Sequence, residues 1–142
     1  MEERLGMRLF VDGGGTPTVP TYFSYKCLDD SKIEMNRFYL TNLCSDLLPD
    51  NCSIYDHRRL STNNIAEYAA CWYGLSRFKE YYDGRQVTIF QDSQLVVNQV
   101  KGEWDCKQEH LQPWLKAIRN IWWDKVEIQW VPRQEVVAIL GH

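Results

Sequence analysis

Three carboxylates stand where they could do chemistry. Asp12 ends an apolar run, Leu9-Phe10-Val11, and precedes Gly13-Gly14-Gly15, so one acid lies beside bare backbone. Asp92 ends a second apolar run, Val87-Thr88-Ile89-Phe90, followed by Gln91, and Glu67 lies just after the polar run Ser61-Thr62-Asn63-Asn64. Brought together, such acids repel: two of them ~4 Å apart interact unfavourably by roughly 4 kcal/mol at an effective dielectric of about 20. A cluster of this kind protonates, spreads apart or binds cations. All-oxygen ligation suits magnesium or manganese rather than zinc, and no His/Cys spacing offers a competing site. Each acid also has an ordinary reading: Asp12 opens a Gly-rich turn, Glu67 is a first-turn acid favoured by the helix dipole, and Asp92 is a helix N-cap.

Whether the acids meet depends on the elements that carry them. Leu9 and Val11 point to one side and Phe10 to the other, which predicts a central strand covered on both faces. The run ending in Asp92 repeats that pattern. A helix joins the two, opened by the capping types of residues 61–64, continued by Tyr68, Trp72, Leu75 and Phe78 at 3.6-residue spacing, and ended by Asp83-Gly84. Two buried strands joined by a helical crossover lie parallel, so Asp12 and Asp92 are expected at the same, C-terminal, edge of the sheet. Residues 21–27, rich in β-branched and aromatic side chains, read as a hairpin partner of the first strand. Residues 53–60 read as a short, charged edge strand. Residues 28–52 read as an insertion of open structure, in which 33–40 fits strand or helix. A helical run from Ser93 to Val100 closed by Gly102, a helix from His110 with Leu111, Leu115 and Ile118 as its stripe, and an alternating strand over 125–131 complete the chain.

Composition sets bounds. The 142 residues form one expected domain, 44% hydrophobic, large enough for a real core. A net charge of −3 gives no global attraction to nucleic acid, so phosphate binding would rest on a local patch. No signal-like or membrane-spanning run is expected, which points to a cytoplasmic protein with no membrane partner. Five cysteines, with no CxxC pair, read as free thiols, Cys44 and Cys52 being the only pair near in sequence.

The runs Val11-Asp12-Gly13-Gly14, Thr62-Asn63-Asn64-Ile65-Ala66-Glu67, Asp92-Ser93-Gln94-Leu95-Val96 and Trp130-Val131-Pro132-Arg133 resemble, in order and context, type 1 ribonuclease H. Glu109-His110-Leu111-Gln112-Pro113 is also similar to the segment before that family's last parallel strand. The likeness is to the archaeal and phage-like branch, without a basic handle helix, and covers nearly all the chain outside 28–52.

The resemblance implies an α/β ribonuclease H-like fold, a five-stranded mixed sheet in the order 3-2-1-4-5 with helices on both faces. It implies a monomeric endonuclease that cuts the RNA strand of RNA–DNA hybrids, with double-stranded RNA a further candidate partner. The reaction is in-line attack of water on a phosphodiester, leaving a 5′-phosphate and a 3′-hydroxyl, at a two-ion Mg2+ or Mn2+ site. Asp12, Glu67 and Asp92 become the metal ligands and catalytic acids. Gly13 and Gly14 give the RNA backbone its close approach, and Asn63, Asn64 and Gln94 read the minor groove, where 2′-hydroxyls mark RNA. Thr62, Ser93 and Arg133 complete the substrate-binding set; read without the family, the asparagines are caps and Gln94 an exposed helix residue. In one respect the chain departs from the family. Where a fourth acid follows Pro-Arg, this tail reads Gln134-Glu135-Val136-Val137-Ala138-Ile139-Leu140-Gly141-His142, which puts Ile139 or Leu140 at the acid's place. Glu135 and His142 are the tail side chains that could substitute for it. The alternative function is therefore a hybrid- or duplex-binding module with weakened or lost catalysis.

Overall fold

The computed structural model describes residues 6–141. Its centre is the first apolar run, strand β1 (Met7–Gly14), in which Leu9 and Val11 are wholly buried on one face and Phe10 on the other. β2 (Tyr22–Cys27) returns antiparallel to it, with Asp12 opposite Ser24. β3 (Glu34–Tyr39) pairs antiparallel with β2. On the other side β4 (Val87–Gln91) and then β5 (Val126–Trp130) run parallel to β1, giving the order β3-β2-β1-β4-β5. The expected mixed sheet is therefore present, and the ends of β1 and β4 share one edge.

The crossover from β3 to β4 contains helix α1 (Asn63–Tyr82), and that from β4 to β5 contains α2 (Gln94–Lys101) and α3 (Gln112–Ile121). These helices enclose the main core, where Leu9, Val11 and Ile89 of the sheet meet Ile65, Tyr68, Leu75, Phe78, Trp114 and Ile118. The short α4 (Arg133–Leu140) covers the opposite face. There Phe10 stacks on Phe90 with ring centroids 4.8 Å apart, and Val131, Val136, Ile139 and Leu140 close a second, smaller cluster. Among the described residues no helix is long and apolar enough to cross a membrane, and all five cysteines are free.

Thr62 caps α1, its Oγ1 accepting from the Ile65 N–H at 3.3 Å. Thr62→Ala is expected to cost about 1 kcal/mol, lowering the melting temperature by about 2–4 °C for a chain of this size. An unchanged thermal melt would show that other groups satisfy the first turn. Gly102 ends α2 in the left-handed conformation (φ 82°) that its sequence position implies.

The third strand is not where the sequence places it. Residues 53–60 form no strand: Asp56 folds them into a turn, its carboxylate accepting from the Arg58 and Leu60 N–H groups and pairing with Arg58 at 2.6 Å. Arg59 takes φ 65°, which breaks any extended run. The edge strand is Glu34–Tyr39 instead, so 34–39 of the stretch expected to be an insertion belongs to the sheet. A register shift between Phe23 and Tyr25 hides this strand from pattern reading. Arg37 bulges out with φ 52° and its N–H donates to Ser24 Oγ at 2.9 Å, so the alternation of side chains fails in mid-strand. Two single 3-10 turns, Leu40–Asn42 and Ser45–Leu47, follow. The stretch is tied down where Tyr73 donates to the Leu47 carbonyl at 2.7 Å and Trp114 donates to that of Ser53 at 3.0 Å.

Candidate metal centre

Asp12, Glu67 and Asp92 converge at the common edge of β1 and β4, each offering a carboxylate oxygen within 4.8 Å of the others'. Asp12 is completely buried, and neither of its oxygens has a hydrogen-bond partner. A charged group in that state is costly unless something cationic meets it. Glu67 is held in place: its Oε1 accepts from the Gly13 N–H at 2.8 Å and from Gln91 Nε2 at 3.1 Å, and Gln91 Nε2 also donates to the Glu67 carbonyl at 2.9 Å. Asp92 Oδ2 accepts from Arg133 Nη1 at 3.1 Å, and its carbonyl accepts from Trp130 Nε1. The same Arg133 nitrogen lies 3.9 Å from Asp12 Oδ1.

The ordinary readings of two acids do not hold. The cap of α2 is Ser93, whose Oγ accepts from the Val96 N–H at 3.2 Å, which leaves Asp92 free for another role. Glu67 is beyond the first turn of α1, which contains no acid, so the helix dipole does not explain it. Gly13 has a structural role of its own, whatever approach to a substrate it allows. A Cβ there would lie 2.3 Å from the Ala66 carbonyl carbon and the Glu67 nitrogen, so its bare Cα is what lets α1 press onto β1 and hand Glu67 to Asp12. A Cβ on Gly14 would meet the Tyr22 hydroxyl at 2.8 Å.

The other expected site residues surround the acids. Asn63 and Asn64 are exposed at the start of α1, just after the half-buried cap Thr62, and Gln94 is exposed at the start of α2. Arg133, the first residue of α4, points its guanidinium at the acids themselves. Ile139 and Leu140 pack into the Phe10 cluster, Glu135 is exposed and outside the acid group, and His142 lies outside the described residues. Gln91 is the site residue that pattern reading passes over. Its signal is a fully buried amide at the end of an otherwise apolar strand, beside the acid.

Burial raises the Asp12 pKa to about 7, with the Asp92 charge adding to it, and burial followed by the charges of Asp12 and Asp92 pushes Glu67 well above the ordinary carboxylate range. Both groups therefore hold protons in the metal-free folded state that the unfolded chain has released. Their contribution to stability falls as pH rises from the ordinary carboxylate range through about 7. Asp29 and Asp56, kept low by hydrogen bonds from Arg8 and Arg58, stay ionised above pH ~5 and do not mask the trend. Metal-free protein is expected to melt several degrees lower at pH ~8 than at pH ~5.5, and saturating Mn2+ to abolish most of the difference. A flat profile in EDTA would contradict the charge crowding.

A family model described as reverse transcriptase-like matches residues 51–139, more than half of the chain and the part that carries Glu67, Asp92 and Arg133. The chain belongs to this family, within the RNase H-like superfamily. Its RNase H-like fold is similar to that of LC11-RNase H1 in complex with an RNA/DNA hybrid, an enzyme isolated from compost (TM-score 0.68, 19% identity, 93% of this chain and 89% of that one). RNase H1 of the halophilic archaeon Halobacterium salinarum NRC-1 is also similar (TM-score 0.64, 21% identity, 92% and 88%). In sequence, an uncharacterized protein of Bacillus subtilis strain 168, YpeP, is 41% identical over 64 residues, 44% of this chain and 28% of the relative. The matched stretch thus spans just over a quarter of that relative's length.

Proposed function

We propose that the protein is a divalent-metal-dependent endonuclease that hydrolyses the RNA strand of RNA–DNA hybrids, leaving 5′-phosphate and 3′-hydroxyl ends. The observation that carries this reading is the fully buried carboxylate of Asp12, which accepts no hydrogen bond and lies within 4.8 Å of oxygens of Glu67 and Asp92. The donor set is all oxygen, as Mg2+ and Mn2+ prefer, and Asp12, Glu67 and Asp92 would hold the metal. When bound, a divalent ion supplies Lewis-acid stabilisation of the phosphodiester and lowers the pKa of water.

The chain's own residues do the rest. The Gly13 N–H and Gln91 keep Glu67 in one orientation, so the site needs little rearrangement on binding. Asn63, Asn64 and Gln94, at the exposed starts of α1 and α2, are donors and acceptors suited to minor-groove edges and 2′-hydroxyls. The N-terminal ends of those helices also favour phosphate. The complex of LC11-RNase H1 with an RNA/DNA hybrid supports this substrate class.

A second reading, a hybrid-binding module without turnover, is favoured by the apolar Ile139 and Leu140 where the related enzymes are expected to carry an acid. End-labelled RNA–DNA hybrid, double-stranded RNA and double-stranded DNA incubated with Mn2+ separate the two. The expected result is cleavage of the RNA strand of the hybrid and no cleavage of DNA. Hybrid binding with no cut would favour the second reading, and equal cutting of all three would overturn the substrate assignment.

A further inference from the structure

The contact between Arg133 and the acid cluster has a consequence for how many metal ions the site takes. We propose that Arg133 is a built-in cation of this centre, filling the place beside Asp92 so that the chain binds one divalent ion tightly and a second only by displacing the guanidinium. The inference rests on reading Asp12, Glu67 and Asp92 as metal ligands.

Charge balance argues for it first. Once an entering cation displaces the protons of Asp12 and Glu67, three carboxylates carry −3, and the guanidinium, which stays protonated at any working pH, brings the site to −2, the charge one divalent ion neutralises. Four acids with the same arginine would carry −3, more than one divalent ion neutralises. The apolar tail therefore leaves the site one negative charge short of a four-acid centre that carries the same arginine.

Geometry gives the positions. Arg133 Nη1 is 3.1 Å from Asp92 Oδ2 and 3.9 Å from Asp12 Oδ1, so its charge lies at the Asp92 end of the cluster. At the other end, Glu67 receives both its hydrogen bonds on Oε1, from neutral donors, and Asp12 receives none. The uncompensated charge is thus between Asp12 and Glu67, and that is where the single tight ion belongs.

The tail explains how the arginine is delivered. Val136 is fully buried, and Ile139 and Leu140 pack against the Phe10 cluster, which fixes α4 on the sheet with its first residue, Arg133, over the acids. The apolar residues at the expected acid position anchor the helix that supplies the cation. The Arg133 side chain itself is 61% exposed, so it can leave the cluster without disturbing the core.

The test is a direct count of bound Mn2+, by electron paramagnetic resonance of the free ion and by calorimetry, on wild type, Arg133→Ala and Arg133→Lys. Wild type is expected to bind one Mn2+ tightly and a second at least about ten-fold more weakly. In R133A the first ion should bind about three- to ten-fold tighter, the second should approach it, and the melting temperature in EDTA should fall because the acids lose their counter-charge. R133K, which keeps the charge, should retain one tight ion. If R133A does not fold, Arg133→Gln carries the same comparison. Two ions of equal affinity in wild type, or neutral variants that bind as wild type does, would overturn the inference while leaving the metal centre standing. No Mn2+ bound by folded protein of any variant would overturn both.

Discussion

Asp12→Asn is expected to abolish cleavage of an RNA–DNA hybrid and to raise the melting temperature of the metal-free protein. The two effects come from one property. Asp12 is completely buried, its oxygens have no hydrogen-bond partner, and it faces two further acids. On the proposed function Asp12 is a metal ligand whose charge holds the cation, so its removal should cost on the order of 10^3-fold or more in rate. Without metal the same charge is destabilising on balance, because burial and Asp92 oppose ionisation more than Arg133 favours it. A neutral amide of nearly the same shape relieves that repulsion, and a gain of a few degrees is expected at pH ~8 in EDTA. Near-normal turnover would remove Asp12 from the active site. A lower melting temperature would mean that the carboxylate has a partner that stabilises it.

Gly13→Ala should be the most damaging single methyl in the chain. The added carbon would meet main-chain atoms of Ala66 and Glu67 at 2.3 Å, and backbone within a helix cannot turn aside as a flexible side chain can. Either α1 lifts from β1 or the strand shifts, and both break the bond from the Gly13 N–H to Glu67. Overpacking of this severity is expected to cost about 3 kcal/mol or more, a loss of about 10 °C in melting temperature. Activity should fall further than stability, since Glu67 loses its position even in molecules that fold. Measured together, a melt and a cleavage rate both close to wild type would show that glycine is not needed there for helix packing.

The parts of this architecture legible in the sequence are those set by burial periodicity. The apolar runs of β1 and β4 lead into Asp12 and Asp92, so their parallel pairing and the meeting of the two acids follow from chain connectivity alone. Thr62 and Gly102 mark helix ends by chemistry that is local. The edge strand Glu34–Tyr39 lies in the stretch that fits strand or helix, and its sequence does not decide because its pairing is irregular: the Arg37 bulge breaks the two-residue period, and Asn36 and Arg37 look like turn residues. Residues 53–60 mislead in the opposite way, since the Asp56 turn that shapes them depends on side-chain bonds that hydropathy does not register. At the site, the acids are readable because charge at a strand end is unusual, whereas the role of Gly13 requires knowing which helix lies over it. Arg133 is visible in the sequence as part of the tail motif, but its position against Asp92 depends on how α4 docks on the Phe10 cluster.

A single measurement bears most directly on the site: cleavage of an end-labelled RNA–DNA hybrid by protein first stripped with EDTA and then titrated with Mn2+, wild type beside Asp12→Asn. Cutting of the RNA strand should be absent in EDTA, should appear with added Mn2+ in wild type, and should stay absent in the variant at every metal concentration. Cleavage that persists in EDTA, or that Asp12→Asn supports as well as wild type, would contradict a metal centre built on Asp12, Glu67 and Asp92.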